Sequence, residues 1–142
     1  MSGLLGAIAT TVLNETFRRF MPYAPRLDIL GLRLASAGFQ LAGMNPPRGL
    51  VVRAIALVGD LVSNSLFFGL IGLGRPRHPL VRGSVLGLAM GIGAVALPEP
   101  LGFGKDTTAR TKKTAAQTIL FYVAGGVLAA LAFQFSQRRR NP

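Results

Sequence analysis

The sequence predicts an all-α integral membrane protein, in which a four-helix bundle is accompanied by an additional amphipathic helix at the membrane interface. Half of the 142 residues are hydrophobic, and they form long runs separated by polar, proline-containing connections. The 18 glycines are a proportion typical of membrane helices that pack closely. About 20 consecutive apolar residues are enough to cross a hydrocarbon core of about 30 Å. These observations together predict one membrane domain over residues 1–142.

Five segments make up the predicted architecture. The spans cover about residues 3–21, 50–74, 80–97 and 114–135, and the interfacial helix covers about residues 28–43. The first span begins with LLGAIATTVL, which Arg18 and Arg19 follow and no basic residue precedes. A cleaved secretory leader has the opposite order, so the sequence predicts a retained first helix. Whether this short helix fully spans the membrane stays open.

The segment 28–43 is amphipathic. Arg33, Ser36 and Gln40 share one side of the predicted helix, and leucines occupy the other side. This pattern favours a helix that lies among the lipid headgroups. Ten Lys and Arg residues flank the first and last connections, and six flank the middle loop and the C-terminal tail. The positive-inside tendency then places both termini outside the cytoplasm, although the basic tail at Arg138–Arg140 favours the reverse.

Glycine recurs every four residues in the third span, at Gly83, Gly87 and Gly91. Such a pattern, called a glycine zipper, leaves a flat stripe on which another helix approaches closely. The partner helix can belong to the same chain or to another copy. The sequence leaves both alternatives open, so a homo-oligomer or a larger membrane complex is one of the predictions.

Polar residues inside the second span carry the main functional indication. Asp60 lies near its middle, and a central Asp costs on the order of 2.5 to 3.5 kcal/mol on insertion scales. Arg53, Ser63 and Asn64 share its sector of the helix, so this sector should face protein or trapped water, with Asp60 inside the bundle. The predicted intramembrane polar cluster comprises Glu15, Arg53, Asp60, Ser63, Asn64 and Tyr122.

Two roles fit this cluster. Asp60 can be a protonatable group on a proton or ion path, with Glu15 and Arg53 paired as a gate near one interface. Alternatively, Asp60 is a hydrogen-bonded residue that holds the helices together. The rise per residue predicts which polar groups of the other spans lie at the same depth in the membrane as Asp60. On this basis its partner is a polar group of the first or fourth span, such as Thr11 or Tyr122.

Composition excludes several functions. The formal net charge is +11, but the basic residues lie at the ends of apolar runs, which favours anionic lipids over nucleic acid as partners. The chain has no Cys and one His, so no metal site, cofactor or thiol chemistry is predicted. No catalytic constellation is present, and the sequence predicts a protein that is not an enzyme.

The stretches NETFRRFMPYAPRLDILGLR, GDLVSNSL and ALPEPLGFG resemble small bacterial inner-membrane proteins of uncharacterised function, and more loosely the YagU-type group, which is associated with acid tolerance. The resemblance implies a bacterial inner-membrane location and adds weight to a pH-linked role for Asp60 and Glu15. It transfers no catalytic residue. The first functional hypothesis is therefore a structural, assembly or stress-related membrane component, and the alternative is a proton- or ion-linked transporter or channel that uses Asp60.

Overall fold

The computed structural model describes residues 2–74 and 77–140, and these residues form helices and connections without a β-strand. The helices are α1 (Ser2–Phe20), α2 (Leu27–Leu41), α3 (Leu50–Gly69), α4 (Pro79–Ala96) and α5 (Lys112–Arg140), and a 3-10 turn at Leu70–Gly72 extends α3. The all-α prediction is confirmed. The observed helices overlap the predicted segments closely, except that α5 continues through the basic tail, where Arg and Gln are good helix formers.

Three helices of the described part of the chain are long and apolar enough to cross a membrane. They are α3 with its 3-10 turn, α4, and α5 up to Arg138. The first helix is not among them, because Glu15, Arg18 and Arg19 fall within its 19 residues. Three of the four predicted spans are thus long and apolar enough to cross a membrane.

Contacts along α1 fix its direction relative to α3. Gly3 at its start lies against Ser65 and Gly69 near the end of α3, and Thr11 lies beside Asp60 near the middle. The two helices are therefore antiparallel. Helix α1 packs along the second half of α3. It therefore lies at the same level of the bundle as a helix that is long and apolar enough to cross a bilayer.

The first helix also packs along α5. Gly6 lies against Gly125 and Ala129, and the rings of Phe17 and Phe121 have centroids 5.3 Å apart. Their order shows that α1 and α5 are antiparallel. Both α3 and α5 therefore run in one direction, opposite to α1.

The glycine stripe of α4 packs against α5 within the chain. A Cβ atom added to Gly91 would lie 2.7 Å from the Cα of Ile119, and one added to Gly87 would lie 2.8 Å from the Cα of Val123. Gly83 meets Gly126 in the same way, further along α5. Of the two open alternatives, the structure uses this stripe for intramolecular packing of two antiparallel helices.

One end of the bundle carries α2 and the connections 21–26 and 97–111, and we call it the cap end. The Arg26 amide donates to the Thr107 carbonyl oxygen at 2.7 Å, and the Arg110 guanidinium donates to the Pro22 carbonyl oxygen at 2.8 Å. The Thr114 amide donates to the Thr111 hydroxyl at 3.0 Å, an N-cap that starts α5. These bonds tie the two connections into one layer.

The opposite end holds the apolar core. Phe68, Ile71, Ala129 and Ala130 are fully buried there, and Tyr122 lies on the side of this cluster toward the cap end.

Candidate functional site

Asp60 lies between α3 and α1, where two hydrogen-bond donors meet its carboxyl group. The Thr11 hydroxyl lies 3.2 Å from Oδ2, and the Asn64 side-chain amide donates to Oδ1 at 3.0 Å. Thr11 belongs to the first helix and is one of the partners predicted from their depth in the membrane. Asn64, one helical turn from Asp60, is buried and fixes the carboxyl group from its own helix.

The Thr11 hydroxyl has a second partner, the carbonyl oxygen of Ala7 at 3.0 Å. A hydroxyl carries one hydrogen and accepts through its oxygen. When Asp60 is ionised, Thr11 donates to the carboxylate. When Asp60 is protonated, the acid donates to Thr11, and Thr11 donates to Ala7. Both protonation states are thus satisfied without moving a heavy atom.

A cavity of about 450 Å³ lies between α1, α2 and α3, with Arg18 toward the cap end and Asp60 at its inner end, and we call it the polar cavity for its charged lining residues. Its lining includes the charged residues Glu15, Arg18, Arg26, Asp28, Arg53 and Asp60. The cavity is large enough to hold several water molecules. The side-chain oxygen of Asn14, which also lines this cavity, is buried without a hydrogen-bond partner in the described residues, and cavity water would satisfy it.

Four of these charged groups form one network near the mouth of the polar cavity. Arg18 donates to both carboxylate oxygens of Glu15 at 2.7 and 2.8 Å and to Asp28 at 2.9 Å, and Arg26 donates to Asp28 at 3.2 Å. The network joins α1 to the start of α2. Asp60 makes no ion pair with a described residue and is the deepest carboxyl group of the cavity.

The predicted pair between Glu15 and Arg53 is not formed in the described part of the chain. Glu15 instead pairs with Arg18, and more weakly with Arg19 at 3.5 Å. A partner three or four residues away on the same helix is already aligned, whereas Arg53 would have to be fixed across the cavity. Arg53 is exposed and lines the cavity beside Glu15 without bonding to it.

The other predicted cluster residues have different roles. Ser63 is exposed, and its hydroxyl donates to the backbone carbonyl oxygen of Asp60 at 3.1 Å rather than to the carboxyl group. Tyr122 of α5 is buried, and it lies with Asp60, Ser63 and Asn64 on the wall of a second cavity. Asp60 therefore borders two cavities at once.

A clamp at the cap end was not predicted from the sequence. Both guanidinium nitrogens of Arg33 donate to the Asp106 carboxylate, at 2.7 and 2.9 Å, and Arg33 also donates to the Phe103 carbonyl oxygen. The Arg33 guanidinium lowers the pKa of Asp106 below its ordinary value. The clamp holds the exposed side of α2 on the connection 97–111.

Comparison with family models, with curated proteins and with solved structures finds no match. The resemblance to the YagU-type group therefore stays a prediction. What this site does has to be inferred from its own geometry.

Proposed function

We propose that this chain is a proton-linked integral membrane protein in which four helices cross a bacterial inner membrane and Asp60 takes up and releases a proton. In this proposal α1 is the fourth helix that crosses the membrane. Its 19 residues reach about 28 Å, and it runs antiparallel beside α3 and α5. The side chains of Thr10, Thr11 and Asn14 in α1 face neighbouring helices or the polar cavity. No enzymatic step forms part of this function.

The single observation that carries the proposal is that Asp60 borders a charged cavity reaching the cap end. A carboxyl group that only held helices together would be enclosed by packed side chains. Asp60 instead shares the cavity wall with Glu15 and Arg53, as the transport hypothesis requires. Its hydrogen bonds to Thr11 and Asn64 suit either protonation state, as a site that exchanges a proton needs.

Beyond Asp60, fully buried side chains of the described residues lie on the way to the far end. Phe68 and Ile71 are fully buried between Asp60 and the far end, and no cavity lined by Asp60 includes either residue. We interpret this arrangement as a state in which Asp60 is loaded from the cap end. Release on the other side would require α1 to move relative to α3 and α5, a change of the kind that alternating access involves.

The test is proton movement in liposomes that contain purified protein and a pH-sensitive dye. We expect the wild type to dissipate a pH gradient and Asp60→Asn to lose this activity while its fold persists. Glu99→Gln serves as a matched control, because it removes the same charge from an exposed residue that contacts Lys105 at 3.3 Å. A wild type without flux, or a fully active Asp60→Asn variant, would overturn the transport function.

The second candidate is a structural, assembly or stress-related membrane component. Its support is the dense packing of α1, α4 and α5 through glycines, which gives a rigid bundle with a lipid-facing exterior. The glycine stripe of α4, for which association between copies was one of two alternatives, is occupied within the chain. Crosslinking in native membranes tests this candidate: capture of a constant partner supports it, and a solitary monomer opposes it.

We also propose that lipids contact the basic residues at the cap end. Arg53, Lys112 and Lys113 lie near the start of α3 and α5, at the depth where lipid headgroups meet a crossing helix. We expect anionic lipids to contact them through their phosphates.

A further inference from the structure

A second cavity of about 400 Å³ lies on the other side of α2 from the polar cavity. Its walls come from α2, α3, α4, α5 and the connection 97–111, and its long side chains are apolar. They include Leu30, Leu34, Phe67, Met90, Leu97 and Phe103. A concave, mainly apolar site of this volume with a few polar groups at one end has the form of a small-molecule site.

The polar groups of this apolar cavity lie together. Asp60, Ser63 and Asn64 come from consecutive turns of α3, and Tyr122 faces them from α5. Asp60 is the single charged side chain among the lining residues. A carboxylate has about four acceptor positions, and the described bonds from Thr11 and Asn64 use two of them. The Asp60 carboxylate therefore has acceptor positions left for a ligand.

We propose that the apolar cavity binds a hydrophobic monovalent cation, with its charge at Asp60 and its apolar body against the α2 and α4 side chains. The inference deepens the proposed function, because it requires that Asp60 can lose its proton. An anion would be repelled by the carboxylate, and an uncharged acyl chain would supply no counter-ion for that charge. A cation with aromatic groups can also contact the faces of Phe67, Phe103 and Tyr122.

The probe is tetraphenylphosphonium, with binding to the detergent-purified protein measured by calorimetry at fixed pH. Tetraphenylborate has the same shape and the opposite charge, so it separates charge recognition from apolar adsorption. We expect the cation to bind the wild type, and to bind Asp60→Asn about tenfold to a hundredfold more weakly, as expected for loss of a charged contact. Glu99→Gln should bind like the wild type.

A second variant fills the cavity and keeps the carboxyl group. Gly93 lines the apolar cavity, and a Cβ atom there meets only the Leu97 side chain at an ordinary 3.6 Å. We therefore expect Gly93→Leu to fold, to keep the Asp60-dependent proton movement of the wild type and to bind the cation weakly. Unchanged cation binding in Gly93→Leu would place the probe elsewhere and overturn the inference.

The outcomes separate this inference from the proposed function. Asp60-dependent proton movement without cation binding refutes the ligand and leaves the proton function intact. Asp60-dependent cation binding without proton movement refutes transport and supports the ligand site. Equal binding of tetraphenylborate and tetraphenylphosphonium, or binding that Asp60→Asn does not change, shows apolar adsorption or a lipid-filled cavity and overturns the inference.

Discussion

The Thr11 hydroxyl lies 3.2 Å from the Asp60 carboxyl group and joins α1 to α3 at the inner end of the polar cavity. The hydrogen bond connects residues that are 49 positions apart in the chain. It also gives the carboxyl group a partner that can donate or accept. The same contact is thus relevant to the stability of the bundle and to the proposed proton exchange at Asp60.

Removing the Thr11 hydroxyl should weaken the bundle modestly. We expect Thr11→Val, which keeps the shape of the side chain, to lower the free energy of unfolding by about 0.5 to 1.5 kcal/mol, because a partly buried carboxyl oxygen loses its donor. Unfolding in mixed micelles measures the change. Thr11→Ser keeps the hydroxyl and should stay closer to the wild type. If the two variants are equally destabilised, the hydroxyl is not the cause.

Water should reach the polar cavity in the membrane, and single cysteines can report it because the native chain has none. Leu57 and Val58 are neighbours on α3 with similar exposure, 50% and 59%, but only Leu57 lines the polar cavity. In proteoliposomes we expect Leu57→Cys to react with a water-soluble maleimide and Val58→Cys, which lies outside the polar cavity, to remain unlabelled. Equal labelling at both positions would contradict a hydrated cavity.

The clamp between Arg33 and Asp106 should make stability depend on acid. Because the folded pKa of Asp106 lies below its unfolded value, the clamp contributes stability above the ordinary carboxyl range near pH 4. This contribution is lost as the pH falls through the folded pKa. We expect Asp106→Asn to be less stable than the wild type at neutral pH, with the difference disappearing in acid.

Thermal unfolding of both proteins across a pH series measures this effect. Glu99→Gln is the comparison, since Glu99 has one contact with Lys105 and no bidentate partner. A difference between wild type and Asp106→Asn that stays constant from neutral to acidic pH would show that the clamp does not respond to protonation.

Close packing of α4 on α5 should not tolerate a methyl group. Gly87→Ala would place its Cβ atom 2.8 Å from the Cα of Val123, and we expect a loss of about 1 to 3 kcal/mol because backbone must shift. Gly59→Ala on α3 has no atom within 4 Å of the added Cβ and should be neutral or stabilising. Comparable losses in both variants would indicate a general helix effect rather than packing.

Local patterns in the sequence predicted the helices, because apolar runs lie within one segment, and the rise per residue predicted that Thr11 lies at the level of Asp60. The cap-end clamp could not be predicted in this way. Arg33 and Asp106 are 73 positions apart, and nothing near either residue selects the other. The predicted partner of Glu15, Arg53, was wrong. Arg18 lies three residues from Glu15 on the same helix and pairs with it more readily than a residue of another helix does.

The most direct test of proton exchange at Asp60 is infrared spectroscopy of the protein in lipid bilayers during a pH titration. The carbonyl band of a protonated carboxylic acid distinguishes the two states of the side chain. We predict a band that grows reversibly as the pH is lowered and that is absent from Asp60→Asn, while Glu99→Gln keeps it. A band attributable to Asp60 that does not change with pH would contradict proton exchange at this site.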